Sequence, residues 1–317
     1  MNIALITGGD GAEREISLLS AKTVEEHLDR KKYKVTALDY AGRKFRTATT
    51  GEIVDWTDFS LHGEPFDLAF LMLHGHPGED GIIQGYLDLM GVPYTGCDSF
   101  VSGLTFDKQA CKNFLRTFEI PMAPSVLVFR GDRQILKKAK QIPLPVFVKP
   151  NKNGSSYGIS KVNKGADLKK AIDKAFEFDD EVLIEGFLDG EEYTCGAYRK
   201  GKEIVVLPIT EIVPHTEFFD YEAKYKNQSE EITPARLSKK LKERCQALTK
   251  KLYQVLGCKG ICRMDYILVG NTFFLLEANT IPGMSANSLI PQQAEVANIS
   301  LMSLYDSVIK EALEGLR

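Results

Sequence analysis

Two apolar runs separated by a turn signal occupy the segment 260–287, and this pattern constrains the fold of the chain more than any other. The runs cover residues 262–269 and 273–278, and Gly270-Asn271 between them is a dipeptide typical of a tight β-hairpin. Residues two apart on a strand point to the same face of a sheet. The segment is therefore predicted to form an antiparallel hairpin whose side chains alternate between two faces.

Polar side chains occupy matching positions of this hairpin. Arg263 and Asp265 share one face of the first strand, and Glu277 and Asn279 share one face of the second. If the two faces coincide, the carboxylates and the carboxamide form a set of hard oxygen donors that suits Mg²⁺ or Mn²⁺. The alternative is an edge hairpin with ordinary surface charge. It is disfavoured because Glu277 lies inside an apolar run, where an unpaired charge is costly.

The composition is that of an ordinary globular protein. The chain has 317 residues, 44% of them hydrophobic, and 40 basic residues against 43 acidic ones leave a net charge of -3. This length allows two or three packed units. The charge balance does not indicate a nucleic acid or membrane surface as a partner, and no apolar run is long enough to span a bilayer. The N-terminus lacks the features of a signal peptide, so we expect a cytoplasmic protein.

The six cysteines are scattered along the chain. Cys258 and Cys262 are the nearest pair, and no partner set for zinc accompanies them in the sequence. Free thiols in a reducing cytosol are therefore expected.

The N-terminal third is predicted to be an open α/β unit. A buried strand at 2–7 turns through glycines into an amphipathic helix at 13–29, and a second strand follows at 33–40. A further buried strand at 67–73 ends in a glycine-rich loop that carries two histidines and two acids. Such loops bind ligands at the carboxyl ends of strands, although the histidine spacing is not that of a zinc site.

The middle of the chain contains a lysine-bearing helix and two loops that could close over a ligand. A helix is predicted at 104–118, with Lys108 and Lys112 four residues apart and either one a candidate for a solvated lysine. The loop 151–159 is rich in glycine and serine and can fold over phosphates, with a flexible hairpin turn as the alternative. The segment 218–235 is predicted to be a long loop, and such loops are often lids.

Taken together, the motifs resemble those of a known family. LLEANTIPGM follows RMDYIL, and EREISL, HGHPGEDG and DYEAKY occur in the expected order. The sequence is similar to the D-alanine–D-alanine ligase family of ATP-grasp enzymes over essentially its whole length. The resemblance implies a three-domain α/β ATP-grasp architecture: an N-terminal open α/β domain at 1–103, and two ATP-grasp subdomains at 104–187 and 188–317 that grip ATP between them.

The activity implied by the resemblance is ATP-dependent ligation of two D-alanines through a D-alanyl phosphate intermediate, for peptidoglycan precursor synthesis. Two Mg²⁺ or Mn²⁺ ions are implied at Asp265, Glu277 and Asn279, and a homodimer is expected. Two alternatives stay open at this point. One is an ATP-grasp ligase acting on different amino or hydroxy acids, and the other is a catalytically silent ATP-binding module.

The resemblance also implies residues on the substrate side. Glu15 would hold the amino group of the first D-alanine. Arg263 and the backbone N–H of Gly283 would stabilise the tetrahedral oxyanion, and Ser288 and Leu289 would bind the carboxylate of the second substrate. His74 would be a histidine on the substrate side. Tyr225 of the closing loop would hydrogen-bond to Ser155 and Glu15 and so seal the site.

On the nucleotide side, the resemblance implies that Glu185 faces the adenine amino group and that Glu192 binds the ribose hydroxyls. Three lysines would neutralise the phosphates: Lys108, Lys149 and Lys224. The lid and the backbone at the base would add four residues: Ser155, Ser156, Phe187 and Leu188. One position departs from the family pattern, because Gly186 stands where many members carry lysine, so one nucleotide contact is missing or supplied elsewhere.

Overall fold

The protein is described from a computed structural model that covers residues 1–154, 157–214 and 229–314. Its α-helices, in chain order, are α1 Arg14–His27, α2 Ile82–Met90, α3 Ser99–Phe106, α4 Lys108–Arg116, α5 Ile135–Ala139, α6 Leu168–Ala175, α7 Lys239–Val255, α8 Leu289–Val296 and α9 Leu301–Glu314. A short 3₁₀ helix at Gly165–Asp167 precedes α6.

The β-strands are β1 Asn2–Gly8, β2 Lys34–Ala41, β3 Lys44–Thr47, β4 Ser60–Leu61, β5 Glu64–Pro65, β6 Leu68–Leu71, β7 Ser125–Phe129, β8 Val146–Pro150, β9 Ser160–Val162, β10 Glu181–Gly186, β11 Glu191–Lys200, β12 Glu203–Pro214, β13 Ser229–Ile232, β14 Cys262–Val269 and β15 Thr272–Asn279. They form three larger sheets and the two-stranded β4–β5 ribbon.

The N-terminal sheet has the order β3-β2-β1-β6. β1 lies parallel to both β2 and β6, and β3 is antiparallel to β2. Helix α1 makes the crossover between β1 and β2, which parallel neighbours require. The loops after β1 and β6 therefore leave from the same edge of this sheet, and both carry candidate site residues.

The central sheet has the order β7-β10-β8-β9 with antiparallel pairing throughout. Helix α6 covers it with its apolar side, on which Leu168, Ala171, Ile172 and Ala175 are buried. The C-terminal sheet is also antiparallel, in the order β13-β12-β11-β14-β15. In this sheet the hairpin strand β14 lies between β11 and β15.

Helices cover both faces of the C-terminal sheet. On β11, Cys195 lies against Cys245 of α7, while a side chain at Gly196 would meet Ile290 and Gln293 of α8. Adjacent residues on a strand point to opposite faces, so α7 and α8 lie on opposite sides. Helix α9 contacts both β11 and β6 and so joins the C-terminal sheet to the N-terminal one.

The predicted hairpin is confirmed: β14 spans the predicted residues, and β15 extends one residue further at each end. The single helix predicted at 104–118 is wrong. Asp107 interrupts it with an extended backbone, φ -82° and ψ 97°, and its carboxylate accepts a hydrogen bond from Ala110 N–H at 2.9 Å as the N-cap of α4. Val101 of α3 and Leu115 of α4 are buried in the core of the C-terminal sheet.

None of the helices in the described ranges is both long and apolar enough to cross a membrane.

Candidate active site

The hairpin places the predicted oxygen donors directly opposite one another. Asp265 pairs with Glu277, and Arg263 pairs with Asn279. The register then shifts, because Tyr266 pairs with Leu275 and Leu276 becomes an extra residue in β15. Such a bulge re-aims side chains at a strand, and both Leu276 and Glu277 line the adjoining cavity.

Asp265 is the centre of a hydrogen-bond network. Arg263 donates to both of its oxygens, from Nε to Oδ1 and from an NH2 group to Oδ2, each at 2.8 Å. The hydroxyl of Thr194 donates to Oδ1 at 2.5 Å, and Nδ2 of Asn279 donates to Oδ2 at 3.0 Å. An ionised carboxylate offers about four acceptor positions, so this network uses the full capacity of Asp265.

A cavity of about 530 Å³ lies between the central and C-terminal sheets. This volume is within the usual range for small-molecule and cofactor sites, roughly 300 to 1,000 Å³. The predicted site residues among its lining are Lys149, Glu185, Phe187, Leu188, Glu192, Asp265 and Glu277. The hairpin acids and several residues predicted for the nucleotide side therefore share one cavity.

A buried charge cluster forms the central-sheet wall. The Glu185 side chain is 4% exposed, and its Oε2 accepts a hydrogen bond from Lys149 Nζ at 2.6 Å, while Oε1 pairs with Lys112 Nζ. Burial alone would raise the pKa of Glu185, but Lys149 and Lys112 outweigh it and hold the pKa below its ordinary value. For Lys149, the attraction of Glu185 likewise exceeds burial and raises its pKa.

This cluster includes a residue that the sequence did not single out as a site residue. Lys112 is buried and donates to Ala123 O at 2.8 Å as well as pairing with Glu185. Its position on α4, four residues after Lys108, was compatible with a solvated lysine. Burial and hydrogen bonding of its ammonium group now place it in the wall behind the cavity.

An ion pair in the lining of the cavity is a second feature that the sequence analysis missed. Glu211 is 8% exposed and forms a two-pronged ion pair with Arg236, at 2.9 and 2.6 Å. The available signal was the same one that marked Glu277, an acid inside an apolar strand of sequence.

The backbone predicted to contact adenine is held by the central sheet. Gly186 N–H donates to Pro124 O at 2.9 Å, and Phe187 N–H donates to Pro145 O at 3.0 Å. A side chain at Gly186 would begin 3.1 Å from Pro124 Cγ, which explains in steric terms why glycine fits here. The ammonium of Lys161 lies 4.1 Å from the Phe187 ring centroid, a cation–π contact beside the cavity.

Lys108 is directed to the glycine-rich loop. Its Nζ donates to Asn153 O at 2.6 Å, and its backbone N–H contacts Asn151 O at 3.3 Å. The first residues of the loop that was predicted to cover phosphates are thus tied to the start of α4.

Two acids near the start of α1 differ in their surroundings. Glu15 is exposed to solvent in the first helical turn. Glu13, at the N-cap, instead turns its carboxylate into a narrow space: a Cβ at Gly75 would lie 2.5 Å from its Oε2, and one at Gly154 would lie 2.7 Å from the same atom. Glu13 therefore lies between the two loops where ligand binding was predicted, while the residue named from the motif, Glu15, does not.

Glu79 connects this acid to the hairpin. Its carboxylate accepts a hydrogen bond from Gly75 N–H at 2.9 Å. Burial, followed by repulsion from Glu13 and Glu277, raises the pKa of Glu79 to about 8, with Arg263 acting in the opposite direction. Glu13, Glu79 and Glu277 therefore share one electrostatic environment.

The predicted histidine is buried beneath this region. His74 is 7% exposed, its Nε2 lies 3.2 Å from Ser20 Oγ, and that hydroxyl accepts Met284 N–H at 3.1 Å. Burial lowers the pKa of His74 to about 4, so the ring is neutral at neutral pH. His74 thus contacts α1 and the loop after β15 through Ser20.

The remaining residues predicted for the substrate side lie in that loop or at the helix that follows it. A Cβ at Gly283 would come 3.0 Å from Ser288 Oγ, and Ser288 Oγ lies 2.7 Å from Ser285 Oγ. Ser288 is the N-cap of α8 and Leu289 its first residue. The N-terminus of a helix attracts anions such as carboxylates. The residues named for the lid and the closing loop lie outside the described residues: Ser155, Ser156, Lys224 and Tyr225.

The hairpin donors fit a hard divalent cation by their chemistry, because Asp265, Glu277 and Asn279 all offer oxygen atoms. In the structure, Asp265 uses its acceptor positions for Arg263, Thr194 and Asn279. A cation would therefore compete with Arg263 and require the Asn279 amide to turn its oxygen inward.

Comparisons with known proteins agree with this geometry. Family models described as D-ala D-ala ligase C-terminus and N-terminus match residues 114–310 and 45–97. The D-alanine–D-alanine ligase of Phocaeicola vulgatus is 43% identical over 97% of this chain and 98% of its own length.

Solved structures extend the likeness to the fold. A D-alanine–D-alanine ligase from Bacillus anthracis complexed with ATP has a TM-score of 0.84 at 29% identity, covering 100% of this chain and 98% of that one. The VanG D-Ala:D-Ser ligase from Enterococcus faecalis has a TM-score of 0.88 at 29% identity, covering 98% and 99%.

The fold and the cavity define an ATP-grasp enzyme, which confirms the predicted fold class. The chain belongs to the D-alanine–D-alanine ligase family. The prediction that it is a ligase is confirmed with it.

Proposed function

We propose that this protein joins two D-alanine molecules to D-alanyl-D-alanine while ATP is converted to ADP and phosphate, and so supplies a peptidoglycan precursor. The observation that carries the proposal is the Asp265–Glu277 pair beside Arg263, across the cavity from Lys149 and Glu185. This arrangement brings oxygen donors for a phosphate-bound cation and fixed positive charge to one space of nucleotide size.

The nucleotide would lie between the central and C-terminal sheets. Glu185, with the backbone of Phe187 and Leu188, would face the adenine, and Glu192 would bind the ribose. Lysines would neutralise the phosphates as point charges, together with the serines of the lid: Lys108, Lys149, Lys224, Ser155 and Ser156. Because Lys149 and Lys112 both pair with Glu185, the base-binding wall is already organised before the nucleotide enters.

Asp265, Glu277 and Asn279 would hold two Mg²⁺ or Mn²⁺ ions. When bound, these ions neutralise charge on the phosphate oxygens. The hydrogen bonds of Arg263 support its proposed role: a cation that displaced it from Asp265 would let its guanidinium turn toward an oxygen of the reacting group.

The chemistry proceeds in two steps. A carboxylate is a poor acyl donor, so an oxygen of the first D-alanine carboxylate takes the γ-phosphoryl group of ATP, giving D-alanyl phosphate and ADP. The amine of the second D-alanine then attacks the acyl carbon, and phosphate leaves. Arg263 and Gly283 N–H would stabilise the oxyanion, while Ser288 and Leu289 would hold the carboxylate of the second substrate.

For the first substrate, we propose Glu13 in place of Glu15 as the carboxylate that binds the amino group. Glu13 faces Gly75 and Gly154 between the two ligand loops, whereas Glu15 is exposed. Tyr225 and Ser155 would close the site above it and keep water from the acyl phosphate, and His74 would support the substrate side from below.

The wider setting is proposed on the family resemblance alone: three domains at 1–103, 104–187 and 188–317, a homodimer, and a cytoplasmic location.

The decisive experiment measures ADP release with ATP, Mg²⁺ and a panel of acceptors. Turnover with D-alanine alone, with the dipeptide as product, supports the proposal. Turnover only in mixtures containing D-serine or D-lactate would mean that one of these, and not D-alanine, is the second substrate. Absence of ADP with every acceptor, despite ATP binding, would reject the ligase activity proposed here.

A further inference from the structure

Three of the six cysteines meet at one point inside the protein, away from the cavity described above. All six cysteines are free and buried. The sulfur atoms of Cys97, Cys258 and Cys262 lie within 4.8 Å of one another, and Sγ of Cys97 is 3.6 Å from Sγ of Cys262. Within the described ranges, this is the one cluster of three or more histidine, cysteine or acidic side chains spaced for a shared metal ion.

A close crossing of two glycines brings these thiols together. A Cβ at Gly260 would lie 2.6 Å from Gly96 Cα and 2.7 Å from Gly96 N, so no larger residue fits at Gly260 without movement of the backbone. Gly260 also has a φ of 64°, which favours glycine. The crossing places Cys97, which follows Gly96, beside both cysteines that flank Gly260.

The sulfur spacing is close to that of a thiolate metal centre. Three thiolates bound at about 2.3 Å to one zinc ion lie roughly 3.8 to 4.0 Å from one another, depending on tetrahedral or trigonal geometry. The 3.6 Å between Cys97 and Cys262 needs only a small outward shift to reach this value. A disulfide would instead require the sulfurs to approach to about 2.05 Å.

The backbone of Lys259 lies against the sulfur of Cys97. Its N–H donates to Sγ at 3.4 Å, the type of contact that orients and stabilises a metal-bound thiolate, and its carbonyl oxygen lies 3.5 Å from the same sulfur. Thiolates are the form of cysteine that binds metals, so this N–H would support Cys97 as a ligand.

A pocket of about 370 Å³ reaches the cluster from the surface at Cys258. Gly96 and Gly260 line it, together with Arg199 and Glu311. Glu311 is 10% exposed, and its carboxylate binds Arg199 at 3.1 Å and accepts Gly260 N–H at 2.7 Å. Cys258 is the member of the cluster that lines this pocket, so the pocket is the approach that we assign to an entering ion.

We propose that Cys97, Cys258 and Cys262 form a binding site for one thiophilic cation of the zinc class, which enters through the pocket beside Glu311. The site is separate from the oxygen-donor site, and the two differ in the metals they prefer, because soft thiolates select zinc-like ions while carboxylates select magnesium. The proposal does not depend on the substrates proposed above.

The test uses the full-length protein, stripped with a chelator and kept reduced with a phosphine. Cd²⁺ serves as the probe, because its bonds to sulfur give an ultraviolet charge-transfer band that carboxylate ligands do not give. We expect the band to saturate at one ion per chain and to disappear when Zn²⁺ is added. Cys97→Ala should weaken binding by at least about tenfold, the lower end of what even an outer-shell partner contributes.

Cys195→Ala provides a matched control. Cys195 and Cys245 also form a buried thiol–thiol contact in the core of the C-terminal sheet, so this variant removes a comparable side chain without touching the proposed site. It should keep the full Cd²⁺ band. A band that survives in Cys97→Ala, or that is lost equally in Cys195→Ala while both variants retain native circular dichroism, would overturn the proposal.

A measurement on the unaltered sequence guards against misfolded variants. Alkylation of the folded protein, followed by peptide mass spectrometry, reports the reactivity of each cysteine separately. Zn²⁺ should slow alkylation at Cys97, Cys258 and Cys262 and leave the other three unchanged. Equal rates with and without Zn²⁺, or recovery of a Cys97–Cys262 disulfide in place of bound metal, would reject the metal site.

Discussion

The two faces of strand β14 show how one short sequence serves two different purposes. Asp265 lines the cavity, and Arg263 lies on the same face of the strand; their side chains are 10% and 15% exposed and form a hydrogen-bonded pair. Cys262, Met264 and Tyr266 point to the other face, where each is 0% exposed. Alternation along a strand thus separates hard oxygen chemistry from a soft, apolar interior by a single peptide unit.

The two faces of the strand are under different constraints. On the cavity face, Asp265 is held by hydrogen bonds from Arg263 that a substrate or cation could displace. On the core face, close packing determines which side chains fit, because protein interiors leave little free volume. Substitutions on the first face should change chemistry, and substitutions on the second should change stability.

The largest effect is expected for Glu277→Gln. Loss of a charged oxygen donor removes several kcal/mol of phosphate-charge stabilisation, so kcat should fall by about a thousandfold or more. Steady-state ADP release measures it. Glu203→Gln, at an exposed position at the start of β12, is the control and should retain activity. Near-normal turnover of Glu277→Gln would break the assignment of the cavity face.

The core face should respond next, and in a different quantity. Met264→Ala removes a fully buried side chain and should lower the free energy of unfolding by about 3 kcal/mol. Urea denaturation measures this change. Below the unfolding transition, the KM for ATP should stay near its original value, and a selective loss of ATP affinity would contradict the separation of the two faces.

Arg263→Ala tests the positively charged side chain of the cavity face. Loss of one oxyanion donor should slow ligation by roughly a hundredfold, while ATP binding, measured by calorimetry, should change little. Arg199→Ala offers a second arginine, paired with Glu311 at a distant pocket, as the comparison. Unchanged ligation in Arg263→Ala would remove this residue from the mechanism.

Glu13 and Glu15 form a natural matched pair. Glu13→Gln weakens a charge-assisted hydrogen bond to the first substrate and should raise the KM for D-alanine by about tenfold to a hundredfold. Glu15→Gln alters an exposed carboxylate on the same turn and should have little effect. The reverse order of effects would restore Glu15 to the role implied by the motif.

The smallest effect concerns acid stability. The folded-state pKa of Glu185 lies below its usual value of 4.5, so its contribution is fully present above that value and is lost as pH falls through the lowered pKa. Between the two pKa values the unfolded chain binds the extra proton, which gives a slope of up to about 1.4 kcal/mol per pH unit. Unfolding titrations from neutral to acid pH should show a steeper slope in the wild type than in Glu185→Gln.

Sequence reasoning reached furthest where local pattern and chemistry agree. The hairpin and the shared face of Asp265 and Glu277 follow from a period of two and a turn dipeptide, both of which are local. The prediction of one helix at 104–118 was wrong because the Asp107 carboxylate accepts a backbone N–H as an N-cap and starts a new helix. Apolar spacing does not reveal this alternative.

Glu15 illustrates a limit of motif matching. EREISL contains two acids two residues apart, and only the path of the chain through the cap of α1 decides which one turns toward Gly75 and Gly154. Lys112 shows the same limit, since an isolated lysine on a helix has no sequence mark of burial.

By itself, the sequence determined the oxygen-donor hairpin, because the hairpin depends on short-range periodicity and on residue types that chemistry requires. Its motifs also carried the family resemblance, and that resemblance implied the ATP-grasp fold class and the ligase activity. Only the tertiary structure decided which distant side chains meet: Glu185 with Lys112, Glu13 with the loop at Gly75, and Cys97 with Cys258 and Cys262. The expectation that the cysteine pair has no metal partner set was a statement about spacing along the chain. Two glycine backbones that cross in close contact supply the third thiol from 161 residues away (258 minus 97).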